Sequence, residues 1–457
     1  MNWSRDELDL LEAAAQALQS GFRDLPETAD SADLSRWGEV LQRAATMLQD
    51  NDPYFHPLYC GQMLKPPHPV ARMAYALAML INPNNHALDG GRASSAMERE
   101  VTAKLAAMCG WIATSDDESP PFLGHLCGGG TLANFEALWV ARELTGGKTI
   151  VASQQAHYTH GRLSGVLQNS FEAIAVDSRG RMDLAVLEDR LQRGDVGTVV
   201  ATLGTTALGA VDPLDEIVVL QQRYPFRLHV DAAYGGYFTL ADNLRPETRA
   251  AFDVICAADS IVIDPHKHGL QPYGCGCVLF RDPSVARLYL HDSPYTYYTS
   301  DELHLGEISL ECSRAGASAV ALWATLQLLP LERGGEFTQG LEAGRTAALA
   351  LFQWLQQSDC FVPLLEPELD IVVWGVRAAS ASESSQQARA LFQQARQHQV
   401  YLALATIPRS LGETKGIVTH WDQDTITCLR SVLMKPEHRE WMPEIITRLQ
   451  RATGEIG

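Results

Sequence analysis

Between residues 149 and 281, short runs of β-branched and apolar residues recur, and helical patterns fall between several of them. The runs cover 149–153, 173–177, 197–203, 227–231, 259–264 and 276–281, with helices expected near 132–145, 183–193 and 213–223. This alternation predicts βαβ units and a mostly parallel sheet, hence an α/β fold. In such sheets ligands collect at the carboxyl ends of the strands, so the residues that end each run are the first to inspect for chemistry.

The remaining sequence arranges itself around that sheet. At 457 residues the chain exceeds what one core usually supports, about 250–300 residues, and suits a two-lobed unit. Residues 1–50 read as a helical arm, because Leu8, Leu11, Ala15 and Leu18 share one helical face, Ser4 and Glu7 stand as a capping box, and a polar break covers 26–35. Such an arm suits packing on a partner subunit. Residues 51–334 form the large domain: a Pro-rich loop, helices near 70–81 and 95–109 with the loop signal Asn82-Pro83-Asn84-Asn85 between them, the alternating region, and an apolar helix near 317–330. Residues 335–457 read as a smaller C-terminal α+β domain, with a helix near 336–357, a polar Ser/Ala/Gln stretch at 378–388, then another helix and short strands.

Charge and cysteine usage narrow the function classes. Aspartate and glutamate number 55 against 36 lysines and arginines, a formal charge of −19 that repels nucleic acid and anionic bilayers alike. The apolar run at 73–81 is well short of the ~20 residues that span a bilayer, and the N-terminus lacks the apolar core of a signal peptide. Nine cysteines, an odd number without a tight framework, fit free thiols in a reducing compartment. Cys275 and Cys277 are spaced C-x-C with no second pair at zinc-finger spacing, so no metal is expected. A cytoplasmic location follows from these features together.

Three segments carry chemistry. Cys127-Gly128-Gly129-Gly130-Thr131-Leu132-Ala133-Asn134 runs directly into an amphipathic helix, and glycines before a helix start let backbone N–H groups cradle an anion. Its spacing from Gly124 is that of a P-loop, but Gly130 fills the lysine position, which argues against a nucleoside triphosphate. The bland reading is an ordinary turn. In Leu228-His229-Val230-Asp231-Ala232-Ala233 an apolar strand ends in a carboxylate, whose burial demands a positive partner; the alternative is a helix cap. In Ser260 to Gly269 a strand stops at Pro265 and presents Lys267 between His266 and His268, a setting in which cationic or apolar neighbours make an amine nucleophilic. The alternative there is a surface lysine.

Phosphate cradle, strand-end acid and nucleophilic lysine are together the contacts that pyridoxal 5′-phosphate requires, in this order along the chain. The chain also resembles the pyridoxal-phosphate-dependent group II amino-acid decarboxylases of fold type I. The matching blocks are His56-Pro57, Gly128 to Asn134, Ala156-His157-Tyr158, ATLGTT at 201–206 with Asp212-Pro213, HVDAAY at 229–234 and DPHK at 264–267, with weaker matches at Ser313-Arg314 and Leu429-Arg430.

The resemblance implies that Lys267 bonds the cofactor aldehyde, that Asp231 keeps the ring nitrogen protonated, and that His157 stacks on one ring face while Ala233 packs on the other. It implies that Gly129, Gly130, Thr131 and His266 hold the phosphate and that Thr206 lies near the ring hydroxyl. His160, three residues after His157, reads as merely sharing the same helical face. Tyr295, Tyr297 and Tyr298 on the polar stretch 291–306 are candidates for the acid that returns a proton to the substrate carbon, and none sits at the family's usual spacing. Arg314 and Arg430 stand at family-like positions and read equally as packing residues. Tyr59 and Gln62 are hydrogen-bond candidates for a substrate pocket. The activity implied is decarboxylation of a small L-amino acid by a homodimer. A carbon–carbon lyase or aldehyde-forming oxidative deaminase remains the alternative on the same cofactor, and a catalytically silent scaffold the alternative from another class.

Overall fold

A computed structural model describes residues 3–26, 34–112, 121–290 and 308–454. A seven-stranded sheet organises the larger part: β1 (Leu123–Cys127), β2 (Thr149–Ser153), β3 (Phe171–Ile174), β4 (Val196–Thr202), β5 (Arg227–Asp231), β6 (Ser260–Ile263) and β7 (Gly276–Phe280), in the order β1-β7-β6-β5-β4-β2-β3. Only β7 runs antiparallel to its neighbours, so the carboxyl ends of the other six strands share one edge. Strands β1, β4, β6 and β7 are buried along their whole length, as expected for a sheet with helices on both faces. Alternation separates the two faces. Leu126, Ile261 and Leu279 pack with Val101 and Leu105 of the helix Leu88–Met108, while Leu123, Val262 and Val278 pack with Ala133, Ala137 and Val140 of the helix Gly130–Thr145.

Strand β1 was not among the expected runs: its LGHLC sequence carries a glycine and a histidine and lacks β-branched residues, so pairing with β7 rather than local propensity makes it a strand. The second run begins two residues earlier than the pattern suggested, at Phe171. A second sheet, order β11-β13-β9-β8, consists of β8 (Phe361–Pro363), β9 (Ile371–Val376), β11 (Ala403–Pro408) and β13 (Thr425–Val432), all antiparallel; β10 (Ala378–Ser380) and β12 (Val418–His420) pair separately. Helices Glu336–Gln356, Ala381–Gln397 and His438–Gly454 cover one face through Leu351, Leu391 and Ile445, and the opposite face, with Val373, Ile407 and Ile426, merges into the core of the large sheet. The polar stretch at 378–388 lies largely in the helix Ala381–Gln397, whose N-cap Ser380 accepts a hydrogen bond from the Glu383 N–H.

The early loop joins this second sheet rather than the first. Leu58 and Cys60 belong to its core, and the Cys60 N–H donates to the Tyr401 carbonyl at 2.8 Å. The N-terminal helices Arg5–Ser20 and Trp37–Leu48 bury no residue, and Leu10, Leu41 and Met47 are 63%, 67% and 69% exposed. The expected Ser4/Glu7 capping box is present, with N–H donors on both residues satisfied at 2.7 and 3.1 Å. Among the described residues no helix is long and apolar enough to cross a membrane.

Candidate active site

The strand ends converge on a cavity of about 650 Å³ whose wall includes Gly128, Gly129, Gly130, Thr131, His157, Thr206, Asp231, Ala233, His266 and Lys267. Every residue that the resemblance assigns to the cofactor therefore opens onto one space. Gly128–Gly130 follow β1, His157 follows β2, Thr206 follows β4, Asp231 ends β5, and His266 and Lys267 follow β6.

The glycine loop is shaped by close backbone approach. Gly129, the N-cap of the helix Gly130–Thr145, has φ +144°, which side-chain-bearing residues rarely adopt. A Cβ on Gly130 would lie 2.6 Å from Asp264 Oδ2, and one on Gly276 would lie 2.5 Å from the Gly129 Cα. The cradle, the start of β7 and the turn after β6 are therefore interlocked. Beneath the cradle, the Asn134 side-chain amide donates to the Gly130 carbonyl at 2.8 Å, and Asn134 Oδ1 lies 2.8 Å from His229 Nε2. That oxygen only accepts, so the imidazole proton sits on Nε2, and Nδ1 accepts from the Ser260 hydroxyl at 2.8 Å. Burial pushes the His229 imidazole down to about 3, consistent with a neutral ring.

Asp231 is 5% exposed. Its Oδ1 accepts the Ala233 N–H at 3.2 Å, and its Oδ2 lies 2.8 Å from Nε2 of the fully buried His160. Burial alone would raise its pKa, but the His160 hydrogen bond and the nearby charges of His160 and Lys267 outweigh burial and hold the carboxyl well below the usual range. A hydrogen-bond donor from His160 and the nearby positive charge of Lys267 thus meet the buried strand-end acid. Lys267 Nζ lies 3.0 Å from Asp264 Oδ2, while Asp264 Oδ1 is buried without a hydrogen-bond partner among the described residues. His266 donates from Nδ1 to the Cys275 carbonyl at 2.8 Å, and burial lowers its pKa. His157 Nδ1 accepts the Thr159 N–H at 3.3 Å, and burial likewise lowers its pKa, against the opposing pull of Asp231.

His157 and His160 do not share a helical face. The helix Thr159–Val166 begins after His157, which lies ahead of its N-cap Tyr158. Sequence reasoning gave no role to Asp264, Asn134 or His160; the spacing of Asp264 before Lys267 was the available signal for the first. Arg314 is a packing residue: it forms a buried ion pair with Glu98 and donates to the carbonyls of Leu126 and Asn85 at 2.8 and 3.0 Å. Arg430 is buried, donates to Gln62 Oε1 at 3.3 Å, and keeps Nε and Nη2 without partners among the described residues. Tyr59 accepts the Gln62 N–H at 3.2 Å, and none of these three lies on the wall of the Lys267 cavity. Tyr295, Tyr297 and Tyr298 lie outside the described residues.

Comparison with known proteins agrees with this geometry. The pyridoxal-dependent decarboxylase conserved domain matches residues 134–376. The chain is 29% identical to the L-tyrosine decarboxylase of Enterococcus faecium, over 74% of its length and 71% of that protein. It is 30% identical to the probable L-tyrosine/L-aspartate decarboxylase of Methanothermobacter thermautotrophicus, over 71% of its length and 84% of the relative. The crystal structure of mouse CSAD superposes with a TM-score of 0.77 at 21% identity, covering 96% of this chain and 92% of that one, which shows the shared fold. The chain belongs to the pyridoxal-dependent decarboxylase family. It is accordingly a fold type I enzyme that uses pyridoxal phosphate to decarboxylate an amino acid.

The residues present fit that cofactor. A glycine cradle whose Gly130 has no room for a Cβ, a buried anion and a lysine amine face one cavity, and Asp264 Oδ1 is an acceptor buried beside that amine without a partner among the described residues.

Proposed function

We propose that Lys267 is the covalent attachment point of pyridoxal phosphate, that Asp231 faces its ring nitrogen, and that His157 and Ala233 lie on its two ring faces. Gly129, Gly130, Thr131 and His266 hold its phosphate, and Thr206 lies near its ring hydroxyl. When bound, the cofactor supplies an electron sink for the charge left behind as carbon dioxide departs. The protein holds Asp231 ionised opposite the ring nitrogen, keeps the Lys267 amine beside the Asp264 carboxylate, and seals the phosphate end with backbone N–H groups. The observation that carries this reading is the shared wall: Lys267, Asp231 and the three glycines border one cavity. The substrate is a small L-amino acid, as the names of the tyrosine and aspartate decarboxylase relatives suggest.

Division into an arm (1–50), a large domain (51–334) and a small domain (335–457) belongs to the same reading, with the exposed apolar arm covered by a second copy in a cytoplasmic homodimer. The exposure of Leu10, Leu41 and Met47 supports that pairing. Lys267→Ala is expected to abolish the visible absorption of the lysine-bound cofactor and to lower turnover by on the order of 10³-fold or more. A variant that keeps the band overturns the attachment point. Product analysis across amino acids, including diaminobutyrate and cysteine sulfinate, identifies the substrate. Carbon dioxide with amine is the expected outcome, and aldehyde with ammonia and peroxide would instead mark the oxidative alternative.

A further inference from the structure

We propose that His160 is a positioning residue that fixes the Asp231 carboxylate against the cofactor ring, an inference that rests on the reading of Asp231 above. His160 is the second residue of the helix Thr159–Val166, and its ring is wholly enclosed. Its Nε2 lies 2.8 Å from Asp231 Oδ2. An ionised carboxylate only accepts, so the imidazole proton resides on Nε2 and is donated to Asp231. Nδ1 has no hydrogen-bond partner among the described residues. A ring kept only for packing would be an expensive choice, because burying an unpaired imidazole nitrogen costs free energy that a leucine of similar bulk avoids. The contact with Asp231 is what explains a histidine here.

Two consequences follow from the geometry. Asp231 receives donors on different oxygens, His160 on Oδ2 and the Ala233 N–H on Oδ1 at 3.2 Å, which fixes the plane of a short side chain that would otherwise rotate. A donor to the anion also favours the anion over the protonated acid, so a proton shared with the cofactor ring stays on the ring. The other ionisable groups around the pair are His157 beside it, His229 on β5, and Lys267 and Asp264 on the turn after β6. His229 is already tied through both nitrogens, to Ser260 and Asn134, and cannot replace His160.

The test compares full-length wild type, His160→Leu, His160→Gln and Asp231→Asn. Three readouts are taken: the dissociation constant for pyridoxal phosphate, the position and pH dependence of the bound cofactor's visible band, and the melting temperature of the cofactor-free protein. His160→Leu is expected to weaken cofactor binding about tenfold and to move the pH at which the band changes, while the cofactor-free melting temperature stays near wild type. His160→Gln retains an N–H donor and should recover most of the affinity and the band. If the leucine variant matches wild type while Asp231→Asn alters binding and band, His160 does not position the acid. Equal losses in both His160 variants, accompanied by lower melting temperatures, would make the role structural and overturn the proposal. Should Asp231→Asn itself change neither binding nor band, the underlying assignment of Asp231 falls, and this inference with it. Where the leucine variant fails to fold, the glutamine variant decides alone: wild-type-like binding and band support donation, and their loss opposes it.

Discussion

Asp231, on the wall of the Lys267 cavity, and Asp370, beside β9 where the two sheets meet, are sealed almost equally from water, at 5% and 1% exposure. Their ionisation nevertheless moves in opposite directions. Asp231 is held well below the carboxylate range, whereas burial pushes Asp370 up to about 6. Asp370 has one short donor, the Tyr234 hydroxyl at 2.6 Å, while its Oδ2 lies 3.3 Å from His268 Nε2 without a hydrogen bond. Its nearby cations, Lys65 and Arg430, are themselves depressed by burial, Lys65 to about 8. Asp212 separates donors from charge: it accepts the Met182 and Thr202 N–H groups on its two oxygens at 2.7 and 2.8 Å, yet burial, aided by the neighbouring acids Glu368 and Asp177, lifts it to about 7. Two donors are therefore insufficient. What distinguishes Asp231 is the short His160 donor on Oδ2 together with the positive charge of Lys267 nearby.

The largest effect should come from removing that anion. Asp231→Asn keeps the shape of the side chain but cannot carry the charge, and carbon dioxide release is expected to fall by at least ~10²-fold. Activity within tenfold of wild type would break the contrast, because it would mean that an ionised acid is no more necessary in the cavity than at the sheet boundary. A smaller effect is expected from Tyr234→Phe, which deletes the short donor to Asp370 and leaves a buried acceptor with no short donor. Unfolding in denaturant at neutral pH should show a loss of about 1–3 kcal/mol. A loss below ~0.5 kcal/mol would show that Asp370 does not depend on that hydroxyl.

The contrast also separates what was legible in the sequence from what was not. HVDAAY and DPHK end in residues that the strands deliver to one edge, because strand period and strand end are local properties; the cavity wall was readable for that reason. The partners of those residues come from remote segments. His160 reaches Asp231 across 71 positions, Asn134 reaches His229 across 95, and Tyr234 reaches Asp370 across 136. No local periodicity encodes such pairs. The His157/His160 spacing even suggested a shared face, because the helix start at Thr159 depends on tertiary packing more than on a strong cap: Tyr158 makes no side-chain cap bond. Strand β1 was invisible for a related reason, since its partner β7 lies some 150 residues away and its own residues favour no strand.

The finest discrimination uses pH. The ordinary aspartate value is 3.8, and Asp370 in the folded chain is raised to about 6, so the folded state holds the proton more tightly than the unfolded chain. The stability contributed by this group is fully present below pH 3.8 and is lost as pH rises through about 6. The gap corresponds to at most about 3 kcal/mol. Asparagine cannot titrate, so the stability of Asp370→Asn relative to wild type should increase from pH ~4 to pH ~7 and then level off. His229 and His438, both lowered to about 3 by burial, act in the opposite sense: their contribution is present above pH 6.5 and is lost as pH falls towards 3. They are common to both proteins and cancel in the difference, as does Asp212. Denaturant midpoints of the two proteins measured at successive pH values therefore isolate one carboxyl. A difference that stays flat would mean that Asp370 is ionised throughout, and that the boundary between the sheets stabilises an anion as well as the Lys267 cavity does.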